Sequence, residues 1–184
     1  MFMNKIKQQI LDEIADSFAK SNDNEINNLI QDIDNANKIF IYGLGREKIV
    51  LTAFAMRLMH LGYDVHVIGD VTTPAITKGD LLITTSGTGY LSTVEALVNI
   101  ANNNEARIAF FTAFPDAELP LKANTIIEIK AQTMKDNAVV DSIQPMGSLF
   151  EQTQLLILEY IIVELIQKHN LKEEDMVPNH TNLE

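Results

Sequence analysis

The chain has 184 residues, 46% of them hydrophobic, with no cysteine and 25 acidic against 14 basic residues, a net charge of −11. Length and apolar fraction suit one domain with a real core, and the missing thiols exclude disulfides, thiolate catalysis and Cys-ligated metals. The acidic balance argues against a broad grip on nucleic acid or an anionic membrane, but leaves room for a small phosphorylated ligand held by a few backbone N–H groups.

The first residues carry Lys5 and Lys7 without an apolar stretch of signal-peptide length. No run approaches the ~18 apolar residues of a membrane span, so the expected location is the cytoplasm. Ile6, Ile10, Leu11, Ile14 and Phe18 recur at helical spacing and predict an amphipathic helix over the first twenty residues. The polar stretch Ser21-Asn22-Asp23-Asn24 breaks it and caps a second helix whose face is Ile26, Leu29, Ile30 and Ile33. From Lys38 onward short apolar runs alternate with helical segments. The runs Ile39–Tyr42, Val65–Ile68, Leu81–Thr85, Ile108–Phe111 and Thr125–Ile129 fit strands buried on both faces of a parallel sheet. Helical patterns at Lys48–Leu61, Leu91–Asn102 and Asp116–Lys122 supply the crossovers, and a long apolar helix, Ser148–Gln167, follows the last strand. The tail from Asn170 is polar and acidic, and Pro178 bars a continuous helix there.

Five parallel strands flanked by helices define an α/β, three-layer fold. The expected plan is one domain over 1–184, with N-terminal helices at 1–36, the α/β core at 37–169 and a C-terminal tail at 170–184. In the common strand order 2-1-3-4-5, ligands sit beyond the carboxyl ends of strands 1 and 3, where the connections diverge. Both glycine-rich turns fall there: Gly43-Leu44-Gly45 after strand 1 and Ser86-Gly87-Thr88-Gly89 after strand 3.

Glycines allow the second turn a tight, partly left-handed backbone whose N–H groups converge on one anion. The hydroxyls of Ser86 and Thr88 and the positive end of the following helix add to it. An ordinary capped strand-to-helix turn is the plainer alternative. The first turn is not a dinucleotide fingerprint, since Lys48 stands where the third glycine belongs, and no P-loop motif occurs. His60, His66, His169 and His180 show no metal-binding spacing, so neither a metal nor a cofactor is expected.

Longer stretches carry a specific resemblance. Phe54-Ala55-Met56-Arg57-Leu58-Met59-His60-Leu61-Gly62, Thr72-Thr73-Pro74, Gly79-Asp80-Leu81-Leu82, Ser86-Gly87-Thr88-Gly89 and Ser142 through Gln152 resemble signatures of the 6-phospho-3-hexuloisomerase family. That family lies within the SIS (sugar isomerase) superfamily. The ending His180-Thr181-Asn182-Leu183-Glu184 is similar to the family's terminal His-Ala-Asn-Leu-Glu. The resemblance implies a five-stranded SIS sheet, a homo-oligomer (a tetramer by preference) and no metal. It also implies conversion of a small phosphorylated sugar, D-arabino-3-hexulose 6-phosphate, to fructose 6-phosphate through a 2,3-enediol. That chemistry needs one base to carry a proton between adjacent carbons and an acid to move protons among oxygens.

On this resemblance Glu151 is the candidate carbon base. His180 is the candidate oxygen acid/base, delivered by a neighbouring subunit's tail. Gly45, Arg46, Ser86, Gly87, Thr88 and Gly89 are the candidate substrate and phosphate ligands. From the residues alone, Glu151 equally fits a favourable first-turn carboxylate, His180 a frayed terminal residue and Arg46 a surface ion pair. Three departures fall on the binding loops. The family serine after Gly-x-Gly-Arg is Glu47, and the Glu-Thr after the second glycine turn is Tyr90-Leu91. A carboxylate beside phosphate is repulsive unless it points away or pairs with Arg46 or Lys48. A non-catalytic sugar-phosphate-binding or sensory protein of this fold is therefore the second expectation.

Overall fold

The structure, a computed structural model, describes residues 2–135 and 141–183. Met1 of the expected first helix and Glu184 of the terminal motif lie outside the described residues. Two helices, α1 (Phe2–Ala19) and α2 (Asp23–Asn35), precede β1 (Ile39–Tyr42), α3 (Gly45–His60), β2 (Val65–Val67) and β3 (Leu81–Thr85). Then come α4 (Ser92–Asn103), β4 (Arg107–Thr112), β5 (Thr125–Glu128), the long α5 (Ser148–Lys168) and a short α6 (Glu173–Met176). Asn22 caps α2 as its spacing requires, its side chain accepting the Asn24 N–H at 3.0 Å.

All five strands pair in parallel in the order β2-β1-β3-β4-β5, the order expected from sequence. Ile39 pairs with Leu81 and Phe40 with Leu82, so side chains of neighbouring strands alternate in step between the two faces. One face carries Ile39, Ile41, Leu81, Ile83, Ala109 and Phe111, packed under α2, α3 and α5. The opposite face carries Phe40, Leu82, Ile108 and Phe110 under Val94, Val98 and Ala101 of α4. Burial on both faces is why these strands read as continuous apolar runs rather than alternating ones.

The expected helix Asp116–Lys122 does not form; only a 3-10 turn, Pro120–Lys122, lies between β4 and β5. Pro120 has no N–H to return to the carbonyl of Asp116, and proline is tolerated only at a helix's first turn. Helix α3 starts at Gly45, three residues before the expected Lys48, because the polar Arg46, Glu47 and Lys48 form its first turn. Pro178 sits in a 3-10 turn, Val177–Asn179, and ends α6. On α1 the inner residues Ile14 and Phe18 pack against the core, whereas Ile6 and Leu11 stay exposed.

Candidate active site

The strand order makes β1 and β3 neighbours whose chains leave in opposite directions, α3 to one face and α4 to the other. A cleft of about 460 Å³ opens at their carboxyl ends, where the topology places ligands. Gly45, Arg46, Glu47, Gly87, Thr88 and Glu151 all line it. The first turn is tight for a reason. A Cβ on Gly43 would lie 3.1 Å from Thr85 and 3.2 Å from the backbone of Lys48, and Gly45 has φ +58°.

The second turn closes with the Gly89 N–H donating to the Ser86 carbonyl at 2.9 Å. Gly89 has φ +81°, and a Cβ there would meet Ala117 at 2.9 Å. Ser86 is fully buried, its Oγ 3.3 Å from Thr88 Oγ1; Ser86 and Gly89 therefore support the turn from below while Gly87 and Thr88 face the cleft. Helix α4 begins just beyond, at Ser92, with no side chain capping it at Leu91, which leaves its positive end toward this region.

Glu151 stands in the first turn of α5, entered through two successive left-handed residues, Met146 (φ 64°) and Gly147 (φ 78°). Arg46 reaches over from α3. Its Nε lies 2.6 Å from Glu151 Oε2 and its Nη2 donates to the Met146 carbonyl at 2.8 Å. Glu47 pairs with neither Arg46 nor Lys48. Its Oε2 accepts the Thr85 hydroxyl at 2.5 Å and the Gly87 N–H at 3.2 Å. Burial pushes the Glu47 carboxyl pKa up. The hydrogen bonds from Thr85 and Gly87 oppose that rise, and the charge of Glu151 adds to it.

His180 lies elsewhere in the chain. It lines a separate groove of about 830 Å³ between α3, α5 and the tail. Its ring stacks on His60 with centroids 5.0 Å apart, and its Nδ1 is 2.9 Å from the Thr181 carbonyl oxygen. One chain thus brings Arg46, Gly87, Thr88 and Glu151 together but keeps His180 apart. Thr133, Met134, Met146 and Phe150 also line the cleft. Phe150 belongs to the Ser142–Gln152 signature, but nothing in the periodicity marks Thr133 or Met134, which arrive on the irregular segment after β5. Among the described residues, no three His, Asp or Glu side chains converge as a metal site.

This geometry, two glycine turns and a carboxylate–arginine pair at the switch point of a parallel five-stranded sheet, defines a doubly wound α/β protein with its site at the strands' carboxyl ends. The SIS domain model matches residues 32–156. The chain is 36% identical over 177 residues to the 3-hexulose-6-phosphate isomerase of Bacillus subtilis (strain 168), covering 96% of each chain. It is 39% identical over 175 residues to that of Mycobacterium gastri, covering 95% of this chain and 88% of the relative. A crystal structure of a Methanococcus jannaschii protein, from which a 3-hexulose-6-phosphate isomerase function was inferred, superposes with TM-score 0.84 at 32% identity. The overlap covers 98% of this chain and 99% of that one. The chain belongs to the SIS domain family and, within it, to the 6-phospho-3-hexuloisomerase family.

Proposed function

We propose that the protein interconverts D-arabino-3-hexulose 6-phosphate and fructose 6-phosphate, with Glu151 as the carbon base. The observation that carries this is the placing of Glu151 beside Arg46 and the Gly87–Thr88 turn in one cleft, in a chain matching enzymes of that name over nearly its whole length. The Glu151 carboxylate removes the C2 proton of the 3-ketose as the C3 oxygen gains one, giving a 2,3-enediol. Loss of the C2 hydroxyl proton and return of a proton to C3 complete the exchange without any redox partner. Arg46 holds Glu151 in position and offers its remaining N–H groups to substrate oxygens. Gly45, Gly87 and Thr88 face the sugar phosphate, while Ser86 and Gly89 shape the turn that presents them.

The oxygen acid/base is His180 from a neighbouring subunit, in a cytoplasmic homo-oligomer, a tetramer by preference. Exposed apolar side chains on α1 (Ile6, Leu11) and α5 (Leu155, Leu156, Val163) support such association. So does the separation of His180 from the cleft within one chain. Residues 1–184 work as one domain in this reading. A coupled assay supplying 3-hexulose 6-phosphate and reading fructose 6-phosphate tests the reaction. Steady turnover dependent on Glu151 is expected; binding of the sugar phosphate without turnover would instead mark a sensory protein.

A further inference from the structure

The glycine turn that would hold a phosphate already holds an anionic group of its own chain. Glu47 extends from the first turn of α3 so that its carboxylate meets the Thr85 hydroxyl at 2.5 Å and the Gly87 N–H at 3.2 and 3.4 Å. The Gly87 N–H is one of the donors the turn would present to a phosphate oxygen. Close approach depends on the glycine. A Cβ at position 87 would fall 3.4 Å from Glu47 Oε1 and 3.3 Å from the Phe150 ring. The groups facing Glu47 are Thr85 of β3, Gly87 of the turn and Glu151 of α5. Of the two cations flanking it on α3, Arg46 is committed to Glu151 and the Met146 carbonyl, and the Lys48 ammonium lies beside Gly69.

We propose that Glu47 is a tethered stand-in for phosphate, holding the donors of the cradle itself and taking up a proton when a phosphorylated sugar binds. This rests on the cleft being a phosphosugar site. A phosphate dianion and a partly buried carboxylate cannot readily share the same few donors while both are charged. The carboxyl is the group that yields, because burial and the charge of Glu151 already favour its neutral form. Once protonated, its O–H can donate to a phosphate oxygen. Binding is then tightest at low pH and weakens as pH rises, because the proton must be found at higher cost.

Calorimetric titration of fructose 6-phosphate into wild type, Glu47→Gln and Glu47→Ser reads this directly. Two buffers of different ionisation enthalpy would be used between pH 6 and 8, with unphosphorylated fructose as control. Wild type should take up about one more proton than Glu47→Gln, and its affinity relative to that variant should fall by up to about tenfold per pH unit. At pH 8 Glu47→Ser should bind roughly fivefold tighter than wild type or better, from relieved repulsion and an added hydroxyl donor. The ligand's own phosphate ionisation, near pH 6, is common to all three proteins and cancels in the comparison. Far-UV circular dichroism confirms that each variant is folded, and either variant alone suffices. Equal proton uptake, or weaker binding to the variants, overturns the role of Glu47 while leaving the phosphosugar site standing. If none of the proteins prefers fructose 6-phosphate to fructose, the phosphosugar reading itself falls and this inference with it.

Discussion

Arg46 spans the cleft between the first turns of two helices, its Nε 2.6 Å from Glu151 Oε2 and its Nη2 2.8 Å from the Met146 carbonyl oxygen. The two bonds use the fixed fork of the guanidinium, which a lysine ammonium cannot copy. They tie α3 to the left-handed entry of α5 and set where the Glu151 carboxylate points. Arg46→Ala should lower kcat/KM by about 10²-fold and Arg46→Lys should restore only part of that loss, about tenfold. Steady-state kinetics of both variants check it. Full activity in Arg46→Lys would reduce the arginine to a simple point charge.

Within one chain His180 and Glu151 line different cavities, so a shared site needs two chains. Light scattering at micromolar concentration should show a dimer or larger. Glu151→Gln and His180→Asn should each be nearly inactive alone. Mixed and allowed to exchange subunits, they should regain part of the activity, since some sites would then unite an intact Glu151 with an intact His180. A monomer, or a mixture as inactive as its components, would remove His180 from the chemistry.

The strands and the position of the cleft were legible because the buried strands read as apolar runs and two of them, β1 and β3, end in glycine turns. The two turns could be placed together once the common order was assumed. The 3-10 turn at Pro120 was missed because Ala117 and Leu121, four positions apart, suit one helix face only if the proline's missing N–H is ignored. Glu47 stood out in sequence as a foreign charge, but its partners did not. Thr85 and Gly87 are 38 and 40 positions away, and only the β1–β3 pairing brings them near. Thr133 and Met134 join the cleft from a segment with no period to read.

At the far end of α2, Asp34 gathers three donors: the Lys168 ammonium at 2.7 Å, the Tyr63 hydroxyl at 2.5 Å and His169 Nε2 at 2.9 Å. Burial alone would raise its pKa. The hydrogen bonds from Lys168, Tyr63 and His169 outweigh that and hold it below its usual 3.8. A carboxylate with a depressed folded-state pKa stabilises fully above its unfolded value, and the contribution is lost as pH falls through the folded value. The urea midpoint should therefore drop below about pH 4, and Asp34→Asn should flatten that acid limb. At pH 7 the same variant should cost about 1–2 kcal/mol. An acid limb unchanged in Asp34→Asn would assign the loss to other carboxylates.

The most direct measurement of the proposed chemistry is proton NMR of fructose 6-phosphate incubated with the protein in deuterated water. A 2,3-enediol formed by Glu151 makes the C3 proton, and only that carbon-bound proton of the ketose, exchange with solvent through the base. The expected result is loss of the C3 signal together with 3-ketose labelled at C2. Glu151→Gln should slow both by roughly 10²-fold or more while fructose 6-phosphate binding changes little. Exchange at C1 instead would mean a 1,2-enediol and a different isomerase. Unaltered fructose 6-phosphate, with neither label nor 3-ketose, would contradict the proposed reaction outright.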